Sequence, residues 1–185
     1  QAIHEAVSYR VSGLFVSPAD LHATEQQFKE LRRHQIPLVI MSGRAPTVDA
    51  PHIRGDDMIA GRALAEHLLD LGHRRIGFVC GDFQPLHRAP RFEAFLQAMH
   101  KRGVSHDPAL ESPSAWNVEA GMAAADRLLG MDDWPTAVFA VNDKMAAATI
   151  RAAKLRGLRV PEDLSVIGFG NSQFSPVLDP PLTSS

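Results

Sequence analysis

Apolar residues recur along this chain in two alternating rhythms. Runs of apolar residues in GLFVS (13–17), PLVIM (37–41), IGFVC (76–80), AVFAV (137–141) and SVIGF (165–169) have the length and continuity of strands covered on both faces. Between them, apolar residues return every three or four positions, the spacing of one helix face. These stretches predict helices through Val7, from Leu21 to His34, from Met58 to Gly72, from about Pro90 to Gly103, from Val118 to Gly130, and from Asn142 to Gly157. Asp57 and Asn142 stand where an N-cap oxygen is wanted. Gly72 and Gly157 stand where a helix ends in a left-handed residue. Strands separated by helices of this length need crossover connections, hence a mainly parallel sheet and a doubly wound α/β architecture. The loop from 42 to 57 carries Gly43, Pro46, Pro51 and Gly55 and is the candidate boundary between two lobes.

Open α/β sheets bind ligands outside the carboxyl ends of their strands. Here those ends carry Ser17, Ser42, the segment from Asp82 to Arg91, Asn142 with Asp143, and Gly170 with Asn171. Small polar groups, one arginine and one amide suit a small-molecule site without catalytic machinery. The sequence has no GxSxG elbow, no phosphate-cradling GxxxxGK, no GxGxxG and no HExxH. No cofactor or metal is expected: His67 and His73 lie on either side of a helix end, a poor spacing for shared ligation. The single cysteine, Cys80, excludes an internal disulfide and reads as a buried structural thiol.

Net charge sharpens this. At −2, with a pI of about 6.5, these residues lack the basic excess of a nucleic-acid-binding face. Basic pairs such as Arg74-Arg75 sit near helix ends, where they complement the helix dipole. No apolar run reaches the roughly 20 residues that span a bilayer, so no membrane partner is expected.

Several stretches together resemble the effector-binding domain of lactose-repressor (LacI/GalR) family transcription regulators. GLRVPEDLSVIGFGN (157–171) is similar to that family's signature near the domain's end. VSGLFVSP, GDDMIAGRALAEHLLDLGHRRIGFVCG, RFEAFLQAM, PTAVFAVNDKMA and DPPLTSS agree with it in order and spacing. The resemblance implies a periplasmic-binding-protein-like fold of two doubly wound parallel-sheet lobes with an interlobe cleft. It implies residues 1–56 as part of the N-terminal lobe, 57–176 as the C-terminal lobe, and 177–185 as the start of a return to the N-terminal lobe. The helix-turn-helix DNA-binding segment that such regulators carry is absent from these 185 residues.

What the resemblance implies for function is a cytoplasmic repressor core. It would sense a small sugar-like effector, form a homodimer, and act on operator DNA through that further N-terminal domain. Arg91 matches the family arginine that reaches the effector, Trp116 an aromatic that stacks on it, and Asn142 a polar contact. Ser17 and Ser42 align with N-terminal-lobe positions of the cleft, and Gly170 and Asn171 close the set. Asp56 and Asp57 resemble the pair at the first lobe crossing. Gly170 departs from the pattern, because many members carry there an aspartate that binds sugar hydroxyls. An arginine desolvated without a partner is costly, so this departure predicts an anionic effector, such as a sugar acid, that brings its own countercharge. The alternatives are a periplasmic sugar-binding protein of a transport system, which shares the fold, and an α/β enzyme, which would need a catalytic role for Cys80 or Asp82.

Overall fold

The computed structural model describes residues 2–16, 25–41, 49–81 and 90–185. They fall into two compact units, residues 1–56 and 57–185. The first contains α1 (Ala2–Ser8), β1 (Leu14–Val16), α2 (Glu25–Arg33), β2 (Leu38–Met41) and β3 (His52–Ile53). Its three strands pair in parallel in the order β1-β2-β3. Ile3 of α1 and Leu31 of α2 are buried against Val7, Leu14, Ile36 and Leu38, which gives this unit a small core.

The second unit contains α3 (Asp57–Asp70), β4 (Ile76–Cys80), α4 (Pro90–Lys101), β5 (Glu111–Pro113), α5 (Val118–Leu129), β6 (Ala137–Ala140), α6 (Asp143–Leu155), β7 (Ser165–Gly168) and β8 (Thr183–Ser184). Its sheet runs β5-β4-β6-β7-β8, every pair parallel. From β4 the chain steps to β5 on one side, then crosses back to β6 and on to β7. With right-handed crossovers, that reversal puts α4 on one face of the sheet and α5 and α6 on the other. α3 packs on α4, and α5 on α6. Every residue of β4 and β6 is buried, as their unbroken apolar sequence requires. Phe78 of β4, Phe139 of β6, and Phe92 and Phe95 of α4 form the aromatic centre, with ring centroids 5.1 to 6.4 Å apart.

The five apolar runs are β1, β2, β4, β6 and β7. Three further strands, β3, β5 and β8, lie at sheet edges and have two or three residues each. Edge strands bury little, so HI, ESP and TS carry no apolar run or alternation to announce them. In the segment 177–185, expected as the start of a return toward the N-terminal lobe, Thr183 and Ser184 pair with Ile167 and Gly168 of β7. α3 and α6 end where expected, with Gly72 and Gly157 at φ +92° and +79°. Among the described residues, no helix is long and apolar enough to cross a membrane.

Candidate functional site

The site is built at the carboxyl end of the second sheet, where two helix starts meet. Asp57 is the first residue of α3 and Arg91 the second of α4. Gly61, one turn after Asp57, lies on the same side of α3. A Cβ on Gly61 would stand 2.0 Å from the Arg91 carbonyl oxygen, so the helices approach this closely only because Gly61 has no side chain. The approach brings the two side chains together. Arg91 Nη2 and Nε donate to Asp57 Oδ1 at 2.6 and 3.2 Å. Arg91 Nη1 donates to the Val141 carbonyl at 3.0 Å, and the guanidinium carbon lies 3.1 Å from the centre of the Phe169 ring. The arginine side chain is 17% exposed and that of Asp57 37%. A cation at a helix start is unfavourable by itself; here a carboxylate, a carbonyl and a ring face hold it.

Asn142 follows Val141 directly. Its Oδ1 accepts from the Met145 N–H at 2.8 Å and caps α6. Its NH2 has no partner among the described residues. The next residue, Asp143, is 2% exposed and fully engaged. Its carboxylate accepts from Ser172 N (2.5 Å), Ser172 Oγ (2.7 Å), Ser175 Oγ (2.8 Å) and Ser184 Oγ (2.6 Å). Burial alone would raise its pKa, but these hydrogen bonds outweigh burial and hold it below the ordinary carboxylate range. Gly170 N donates to Ser185 O and Asn171 N to Ser184 Oγ, so β8 and Asp143 together pin the turn after β7. In that turn Gly170 has φ +119° and the exposed Asn171 has φ +44°. At φ +119° an aspartate would be strained, so the backbone itself is shaped for the glycine that departs from the family pattern.

Trp116 stands beyond the end of β5, 44% exposed. A Cβ on Gly81, just past β4, would lie 2.2 Å from its Cζ2, so the indole packs directly over that glycine. Ser114, two residues before Trp116, ties this segment to β4 through its N–H and Oγ, both donating to Cys80 O. Cys80 is buried, and burial pushes its thiol up to about 12. The thiolate that a nucleophile needs is therefore scarce at neutral pH.

Of the predicted site residues, Arg91 and Asn142 are joined through Val141, and Gly170 and Asn171 follow Phe169, the ring beneath Arg91. Trp116 sits at the neighbouring β4–β5 end of the same sheet. Ser17, Ser42 and Asp82 lie outside the described residues. One premise needs correction. The sugar-acid expectation assumed an arginine without a partner, whereas Asp57 supplies a carboxylate at 2.6 Å. Asp57, expected as a helix cap, spends Oδ1 on Arg91 instead. Gly61, Gly81 and Phe169, which pack against Arg91 and Trp116, were not among the expected site residues. A glycine inside a strong helical pattern, as at 61, was the available signal.

A family model described as periplasmic binding protein-like domain matches residues 65–185. The chain belongs to this family. Within it, the form is that of the LacI-type regulators. The chain is 36% identical over 176 residues to the HTH-type transcriptional regulator DegA of Bacillus subtilis, covering 95% of this chain and 52% of that protein. It is 39% identical over 180 residues to the HTH-type transcriptional regulator MalR of Streptomyces coelicolor, covering 94% and 50%. The chain thus spans about half the length of the curated relatives it matches. A LacI family transcriptional regulator from Enterococcus faecium, solved with bound ribose, superposes with a TM-score of 0.86 at 27% identity, covering 99% of this chain and 67% of that one. The periplasmic-binding-protein-like family, with its parallel sheets and helices, is the fold class the sequence predicts.

Proposed function

We propose that this chain is the effector-binding core of a cytoplasmic transcriptional repressor, and that its ligand is a small sugar-like molecule held at the carboxyl end of the second sheet. Residues 1–56 and 57–185 are read as parts of the two lobes of that core. The observation that carries the reading is the pair Arg91 and Asn142, joined through Val141 and keeping hydrogen-bond donors unspent among the described residues, with the part-exposed indole of Trp116 at the neighbouring strand end. Sugars ask for this pairing, since hydroxyls take directional hydrogen bonds and the ring's C–H face packs on an aromatic surface. The ribose in the Enterococcus regulator and the HTH-type names of the relatives support it.

In this reading Arg91 and Asn142 donate to ligand hydroxyls, Trp116 stacks, and the turn at Gly170 and Asn171 shapes the wall. The site performs no reaction. Binding changes the relative stability of two arrangements of the core, and a ligand can do so only through unequal affinity for them. A homodimer carrying paired DNA-binding heads converts this into operator affinity, because half-sites are read by symmetric pairs. Titrating the chain with a panel of pentoses and hexoses, followed by tryptophan fluorescence and calorimetry, tests the reading. Saturable binding that Trp116→Ala and Arg91→Met each weaken by about tenfold or more is expected. No response to any sugar in the panel would count against it.

A further inference from the structure

We infer that Asp57 sets the charge class accepted at this site, acting as an internal counter-ion that keeps anionic ligands off Arg91. The inference deepens the proposed function and rests on Arg91 being part of the ligand site. A guanidinium has five N–H donors in a fixed fork. Here Nε and one N–H of Nη2 go to Asp57, and one N–H of Nη1 goes to Val141 O. One N–H on each terminal nitrogen remains without a partner among the described residues. Phe169 covers one face of the plane, so a ligand meets the guanidinium at its edge.

The edge is already next to a negative charge. An anion approaching the two remaining N–H groups must either displace Asp57 from a 2.6 Å charge-assisted bond or sit as a second anion beside it. In a partly desolvated site both routes are unfavourable, because like charges interact strongly where water is scarce. Asp57 is also poorly placed to leave. It occupies the first turn of α3, where the helix dipole favours a carboxylate, and Gly61 holds the Arg91 backbone against that helix.

The remaining valences fit a different group. Two N–H donors of Arg91, the NH2 of Asn142 and Asp57 Oδ2 offer both donors and an acceptor, with Oδ2 also unpartnered among the described residues. A hydroxyl donates and accepts through one oxygen, whereas an ionised carboxylate or phosphate oxygen only accepts. An uncharged polyhydroxyl compound can therefore use the whole array, whereas the ionised oxygens of an anion can use only its donor part.

The test is calorimetry on the full chain with ribose and glucose as neutral probes and gluconate and inorganic phosphate as anionic ones. The wild-type chain should bind a neutral probe more tightly than either anion. Asp57→Asn removes the charge and keeps the size, and should tighten gluconate or phosphate by about tenfold or more relative to wild type. The double variant Asp57→Asn with Arg91→Met should lose that gain. Melting curves establish that each variant is folded, and Asp57→Ser, with the same expected gain, serves if the asparagine variant is not. An anion gain that is missing, or that survives without Arg91, overturns the inference, as does a wild-type chain that prefers anions. If neutral sugars bind neither protein while the anion gain appears, the sugar reading fails and the role of Asp57 stands.

Discussion

Both ends of the second sheet carry polar residues, and they use them in opposite ways. At the amino end, His73 bridges three strand entries, with Nδ1 2.9 Å from Thr136 Oγ1 and Nε2 3.1 Å from Ser165 Oγ. Thr136 N donates to Arg75 O, Ser165 N donates to Thr136 O, and Arg75 pairs with Asp107 and Asp133. These groups satisfy one another. At the carboxyl end, Asp143 is equally saturated, but Asn142 and Arg91 each keep donors that no described residue accepts. Polar groups cost free energy when desolvated without partners, and these part-exposed donors are left for water or a ligand to accept from. The difference separates a polar lock from a polar site, and each prediction below acts on one or the other.

The largest effect is expected where backbone approach creates the site. Gly61→Ala would put a methyl 2.0 Å from the Arg91 carbonyl oxygen. Backbone cannot yield as a side chain tip can, so α3 and α4 must move apart. We expect a loss of about 3 kcal/mol, at the upper end for overpacking, together with loss of ligand binding as Arg91 leaves Asp57. Urea unfolding measures the first and calorimetry the second. An unchanged midpoint would mean that the helices do not meet this closely.

Removing the saturated carboxylate at the open end comes next. Asp143→Ala leaves three serine hydroxyls and one N–H without their acceptor in a buried place, and we expect about 2 kcal/mol of destabilisation. The pH dependence follows from the sign of its shift. The folded pKa is depressed, so the contribution is present above the unfolded value near 3.9 and is lost as pH falls through the lower folded value. Asp143→Asn should therefore flatten the acid limb of the stability curve. A variant with the same acid limb as wild type would show that other carboxylates dominate it.

Sequence pattern made the central strands and the helices legible because each buries a continuous surface. IGFVC and AVFAV can satisfy an unbroken apolar sequence only inside a sheet covered on both faces. It was blind to β3, β5 and β8, which bury little, and to the partnership of Asp57 with Arg91. Those residues are 34 positions apart, and only the α3–α4 crossing joins them. The arginine, the indole and Asn142 were singled out from positions that match the resembling family. Whether the arginine was open or paired depended on a tertiary contact, and the premise of the anionic-effector reading, an unpartnered Arg91, failed there. The saturated lock around His73 and the unsaturated site around Asn142 look alike in sequence, since both read as small polar residues at strand ends.

Asn142 sharpens the contrast within one residue, because its oxygen caps α6 and its nitrogen, in the proposed function, faces the ligand. Asn142→Asp keeps an oxygen for the Met145 N–H and adds charge favourable to a helix start, while deleting the NH2. We expect stability within about 0.5 kcal/mol of wild type and a weaker neutral-sugar affinity. Asn142→Ala removes both halves and should cost about 1 kcal/mol as a lost cap. Melting and calorimetry on the pair separate the two roles. Equal ligand affinity in Asn142→Asp and wild type would remove the amide nitrogen from the site.

The smallest effect tests whether the amino end is a lock that needs a neutral imidazole. Burial, reinforced by the nearby His67, lowers the His73 pKa. The folded state therefore favours the uncharged ring. Its contribution is fully present above the unfolded value near 6.5 and declines as pH falls through that value toward the lower folded one. The hydroxyls of Thr136 and Ser165 can accept as well as donate, so protonation need not break either bond; the cost is the desolvation of charge. His73→Gln keeps a donor and an acceptor and cannot titrate. The difference in melting temperature between pH 7 and pH 5 should thus be smaller in His73→Gln than in wild type, with the remaining histidines common to both. Equal differences would mean that the ring takes up its proton in place. The amino end would then be no more closed than the carboxyl end, and the contrast between lock and site would rest on the ligand side alone.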